Sequence, residues 1–186
     1  MRKLIALICA LLMLPVLAAA RPALADPYID NAAVDELFEE LRLANNAVEA
    51  DEISRQIWSY WFTPSDTKLA TRMSVAGNFL GEGNIIESLR ELDGIVADYP
   101  DYAEGWNQHA TVNYMLDRLD DSLADIDKVL AIEPRHFGAL SGRVLIYLKQ
   151  GKHAEALKDM IAALAIHPYL SERRFFPELA QDVTHV

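Results

Sequence analysis

Apolar residues recur every three or four positions along most of the chain beyond residue 30, and short polar turns interrupt them. That spacing predicts a series of amphipathic helices. Val34, Leu37, Phe38 and Leu41 mark a first helix, from about Asp30 to Ala44. Ile53, Ile57, Trp58 and Trp61 mark a second, from about Ala47 to Phe62. Thr63-Pro64-Ser65-Asp66 stops that helix, and Ser65 or Asp66 can cap the next. A third helix carries Leu69, Met73, Ala76, Phe79 and Leu80, and its partner carries Ile85, Leu89, Leu92 and Val96. Gly81 and Gly83 supply backbone freedom for the turn between them. Two more pairs follow. The first has Trp106, Ala110, Asn113 and Leu116, then Leu123, Ile126, Val129 and Leu130, with Asp120 placed to cap its second helix. The next has Phe137, Leu140, Val144 and Tyr147, then Ala156, Leu157, Met160 and Ala163, around a Gln150-Gly151-Lys152 turn. A last amphipathic piece runs from Ser171 to Val183. No segment alternates with the period of a strand, so the expected class is all-α.

Prolines close the pairs at Pro100, Pro134 and Pro168, at one constant interval. A period of that length, about 34 residues, marks a stacked helical repeat. The best unit, 103–136, has Trp106 and Ala110 on its first helix, then Ser122, Ile126, Val129 and Pro134. Leu140, Tyr147, Gly151, Ala156, Met160, Ala163 and Pro168 take matching places in unit 137–170. Ala76, Phe79, Gly83, Ser88, Leu92 and Pro100 do so in unit 69–102. This pattern of small and large side chains resembles the tetratricopeptide repeat. The resemblance implies a right-handed superhelical stack of antiparallel helix pairs, with the first helix of each pair lining a concave face that takes partners. Residues 26–68 are expected to be a degenerate repeat acting as an N-terminal cap, and residues 171–186 a C-terminal capping helix. Small residues such as Ala76, Ala110 and Ala156 let helix axes approach to about 8–10 Å. A single helix pair of this length cannot bury both faces alone, so such units need neighbours.

Residues 1–25 read as a secretory signal peptide. Arg2 and Lys3 precede an apolar run from Leu4 to Leu17, and Ala23-Leu24-Ala25 is a cleavage pattern. Ala18-Ala19-Ala20 is a weaker one, and an uncleaved anchor is the alternative. Export, to the periplasm or beyond, is the expectation. The single cysteine, Cys9, lies inside that leader, so a processed chain has neither disulfide nor thiol chemistry. The whole chain has a formal charge of −11, and losing Arg2, Lys3 and Arg21 leaves 14 basic against 28 acidic residues, or −14. A charge of that sign argues against nucleic acid and anionic membrane surfaces as partners.

Candidate chemistry is sparse. The carboxylates around Asp117, Asp120, Asp121, Asp125 and Asp127 lack the Gly and Glu places of a calcium loop, and read as a solvated face. His109, His136, His153, His167 and His185 form no i, i+3 or i, i+4 pair for zinc. No catalytic or phosphate-binding motif occurs, so neither metal nor cofactor is expected. What remains is the concave face that the resemblance implies. By register it carries Met73, Gly77 and Leu80, then Asn107, Thr111 and Tyr114, then Ser141, Leu145 and Leu148. The basic residues of the family's carboxylate clamp are missing, since Met73 and Gly77 hold two of its places. The expected function is therefore a non-catalytic interaction module binding a peptide or helix of another protein. The alternative is an accessory subunit or small enzyme of envelope biogenesis using His109 and Asn113, polar residues where the family has Leu and Tyr. Self-association is the third option.

Overall fold

The computed structural model of the chain describes residues 25–179, and these contain eight α-helices arranged as four antiparallel pairs. They are α1 (Asn31–Arg42), α2 (Ala47–Phe62), α3 (Thr67–Gly81), α4 (Ile85–Asp98), α5 (Ala103–Met115), α6 (Leu119–Ile132), α7 (Phe137–Lys149) and α8 (His153–Ile166). The expected leader falls on residues outside the described range. Three helix starts are capped by side chains of the expected type. Asp30, Asn46 and Asp66 accept the backbone N–H of Ala33, Glu49 and Leu69. Asp120 does not cap α6. The helix begins two residues earlier, with Arg118 at the cap, and Asp120 and Asp121 sit in its first turn. There they act on the helix dipole instead.

The repeat period is visible in the backbone. Gly83, Asp117 and Gly151 occupy successive turns, with φ of 80°, 60° and 71°. Ser88 and Ser122, one period apart, do more than leave room. Each hydroxyl donates to a carbonyl of the facing helix, Ala76 and Ala110 respectively, at 2.9 and 2.7 Å. The stacked core passes from Leu69, Leu92 and Val112 to Ala110, Ile126 and Ile146, then to Val144, Met160 and Ala163.

The first pair departs from simple end-on capping. The apolar stripe of α1 and α2 turns toward Phe137, Ile166 and Leu170, not toward the α3 residues Leu69 and Met73. The hairpin thus lies along the turns that join successive units. The physical reason is another row with the same period: Tyr102, His136 and Leu170 occupy equivalent turn positions and face the hairpin. The Tyr102 hydroxyl donates to the Trp61 carbonyl. The His136 ring stacks on Trp61 with centroids 4.0 Å apart and planes 7° from parallel. Leu170 packs into the hairpin's core. Gly138 makes the approach of Trp58 feasible, since a Cβ there would lie 2.5 Å from the indole. Arg135 fastens the outside, over the Phe38 ring at 4.2 Å and 2.8 Å from Asp35. Asp26, buried just ahead of the hairpin, accepts the N–H of Ala103 at the start of α5 at 2.9 Å.

Past Pro168 the capping place is taken in a tighter form. Ser171–Phe175 is a 3-10 helix, and Phe176 is fully buried against Leu140 and Met160. Residues 180–186, the end of the expected capping piece, lie outside the described residues.

Candidate functional site

The first helices of the three units place their side chains in a band of three adjoining clefts. The largest, about 770 Å³, lies between α2 on one side and α5 and α7 on the other. Asn107, Thr111, Ser141 and Leu145 line it. A second, about 390 Å³, holds Met73, Gly77 and Leu80 and meets the first at Phe62 and Gln108. A third, about 150 Å³, adds Tyr114 beside Thr111 and Leu145. Eight of the nine residues expected on the concave face are thus brought together along one groove. Leu148 is not: it packs toward Leu140 and Met160 in the core of the last unit. Met73, Asn107 and Ser141 lie deep, under 9% exposed, and shape the floor more than the rim.

The far wall was not expected. Asp51, Ser54, Trp58 and Phe62 of α2 form it, and His167, Tyr169 and Glu172 close one end. The signal that could have found this wall is the row Tyr102, His136, Leu170, whose aromatic and apolar members face no partner in an ordinary repeat. The end of α2 also reaches the α3 cleft, where Phe62 and Thr63 join its lining.

Behind the wall lies a fully buried polar cluster. The Glu104 carboxylate accepts from His136 Nε2 at 3.0 Å, Gln108 Nε2 at 2.6 Å and Asn107 Nδ2 at 3.1 Å. His136 Nδ1 meanwhile accepts the Ala139 N–H at 3.1 Å and so caps α7. One nitrogen accepts and the other donates, which fixes a neutral imidazole protonated at Nε2. The cluster orients Asn107 and Gln108 at the groove floor. His167, at the closed end, is held below the ordinary histidine range. Burial is the main cause, and Asp51 and Glu172 pull weakly the other way.

His109 and Asn113 lie elsewhere, on the side where α5 meets α4 and α6. They share a cavity of about 280 Å³ with Asp93, Asp125, Arg118 and Asp121. His109 Nδ1 is 2.7 Å from Asp125 and Nε2 is 3.0 Å from Asp93. Asn113 donates to Asp125 at 2.9 Å. Burial pushes the imidazole pKa down, but the hydrogen bonds and charges of Asp125 and Asp93 outweigh it and raise the value above normal. Both nitrogens face carboxylates, which favours the imidazolium over the neutral ring. The period explains it. Arg143, one repeat further on, grips Asp159 at 2.6 Å and Asp127 at 2.8 Å. Those two carboxylates stand one repeat after Asp125 and Asp93. Arg72 grips Glu91, which stands one repeat before Asp125. His109 is one rung in a ladder of cations joining helices, and two of the carboxylates read from sequence as a solvated face, Asp125 and Asp127, are among its partners.

No family model matches the chain. A TPR repeat-containing protein of Rhizobium etli is 36% identical over 135 residues, which cover 73% of this chain. The chain spans 66% of that relative's length. Among solved structures, the crystal structure of MamA superposes with a TM-score of 0.52 at 14% identity, covering 67% of this chain and 77% of that one. A further crystal structure of the MamA protein gives a TM-score of 0.49 at 16% identity, over 84% and 81% of the two chains. Together with the periodic ladders of turns, serines and ion pairs, the relative in Rhizobium shows that the chain belongs to the tetratricopeptide-repeat family.

Proposed function

We propose that the protein is an exported, non-catalytic scaffold that holds an extended peptide or helix of another protein in the groove along α3, α5 and α7. The observation that carries this reading is the continuity of the three clefts, which run from Met73 to Leu145 without a charged group on the floor. The neutral polar and apolar residues of the floor can bond the backbone and pack the side chains of an extended ligand. The sequence pattern of residues 1–25 supports export. No group of three or more His, Cys, Asp or Glu poised to hold a metal ion occurs among the described residues. The polar cavity at His109 is occupied by a saturated ion-pair rung.

The test is photo-crosslinking in cells from positions 111 and 145, followed by mass spectrometry. One envelope protein should recur, and its capture should be lost with Tyr114→Glu and Leu145→Glu while the helical circular dichroism persists. Capture that is unaffected by both substitutions places the partner on another face.

A further inference from the structure

Most carboxylates that face the seams between helices of this stack meet a cation: Glu91 and Asp98 meet Arg72, Asp93 and Asp125 meet His109, and Asp127 and Asp159 meet Arg143. The largest cleft breaks that rule. Asp51 reaches it from α2 and Glu172 from the segment after α8, and no Lys or Arg among the described residues lines it. The nearest cations are committed elsewhere. Arg55 pairs with Glu52, Arg173 donates to the Leu179 carbonyl, and Arg174 lies over Phe175. Burial holds the imidazole of His167, the one titratable base in the cleft, below its usual range. Trp58 and Tyr169 add aromatic surface on the same walls. A second, independent observation is apolar: Phe62 and Tyr169, which line the same cleft, are 44% and 37% exposed.

We propose that this cleft seats a Lys or Arg side chain carried by an extended basic segment of the partner protein. Asp51 and Glu172 neutralise the cation, and the Trp58 and Tyr169 rings cover its stem and charge. The volume of about 770 Å³ admits a long side chain with its flanking backbone. This assignment rests on the peptide-binding reading of the groove and adds a side-chain preference to it.

The experiment is selection of a random dodecapeptide phage library on the purified protein, with counter-selection on its Leu145→Lys variant, which fills the cleft and opposes a cation there. Counter-selection removes peptides held by bulk negative charge, most of which that variant keeps. The survivors are expected to share a Lys or Arg at one fixed position. In calorimetry with the synthetic peptide, replacing that residue by norleucine should weaken binding about three- to tenfold, as expected for a partly exposed ion pair with a cation–π contact. The difference should vanish in Asp51→Asn/Glu172→Gln and persist in Asp120→Asn/Asp121→Asn, which removes the same charge outside the cleft. Groove-dependent peptides that tolerate norleucine, or a penalty that survives the Asp51/Glu172 variant, overturn the cation seat and leave the groove reading standing. Finding no peptide sensitive to Leu145→Lys overturns both. A dimer in light scattering that Leu145→Lys dissolves makes a second copy the occupant and also overturns the proposal.

Discussion

Asp117 holds a left-handed backbone conformation, φ 60°, at the place where Gly83 and Gly151 stand in the neighbouring units. An L-residue with a Cβ is disfavoured there by roughly 1–2 kcal/mol. Its carboxylate also pairs with Lys149, but that pair is exposed and so contributes little. Asp117→Gly is therefore expected to raise stability by about 0.5–1 kcal/mol, read as an upward shift of the urea midpoint. His109 makes a pH-dependent contribution. Asp93 from α4, Asp125 and Asp121 from α6, Arg118 at the α6 cap, and Asn113 and Trp106 from its own helix surround it. Its folded pKa is raised, so its stabilisation is full below the unfolded value near 6.5 and is lost as pH rises through the folded value. His167 has a lowered pKa and the opposite sign, losing stability as pH falls from about 6.5 through its folded value. The two must be separated by mutation. Wild type should exceed His109→Gln in urea midpoint at pH 5.5 and converge with it by pH 8.5. His109→Arg, copying Arg143, should show no such convergence.

At the scale of elements, the hairpin α1–α2 is held by aromatic contacts made across the turns. Trp61 is fully buried between Phe38, Phe137 and His136. Trp61→Ala should cost about 3–5 kcal/mol in the hairpin's stability. The loss should appear first as faster amide exchange in α1 and α2, while α5–α8 stay protected. Equal loss of protection everywhere would mean that hairpin and stack unfold as one unit. Gly138 gives a sharper test of register. Gly to Ala inside a helix normally stabilises by about 1 kcal/mol. Here the new methyl would meet the Trp58 ring at 2.5 Å, so Gly138→Ala should destabilise by about 1–3 kcal/mol. A red-shifted tryptophan emission should accompany it as Trp58 moves toward water.

For the whole molecule, the hairpin both walls the groove and covers apolar surface on the turns. Removing residues 25–66 would uncover Phe137 and Leu170, as well as the stacking face of His136, and would take the Asp26 partner from the Ala103 N–H. The truncated chain is expected to keep its helical signal per residue and to self-associate, read by light scattering. A monodisperse truncated stack with unchanged thermal midpoint would show that the hairpin contributes neither cover nor stability. The same deletion removes Asp51, so it should also widen the range of peptides that the groove accepts.

The local code was legible because it repeats. Helix spans, the cap Asp66, and the turns at Gly83 and Gly151 follow from short-range sterics and hydrogen bonding, which act within a few residues. The concave face followed from the family register, and eight of its nine residues meet in the groove; only Leu148 turns into the core. What the chain did not declare were contacts between residues far apart in sequence. Trp61 on His136, Trp58 over Gly138 and Asp26 on Ala103 depend on where a hairpin lands once the stack exists. The ion-pair ladder was present as a recurring spacing, but its meaning needed the distances that set His109 between Asp93 and Asp125. Periodicity determined the helices and their stacking order, because each unit buries the same stripe against the next. Only the tertiary structure decided that the first pair would fold along the turns and make one wall of the groove, because that choice depends on shape matching between surfaces with no common period.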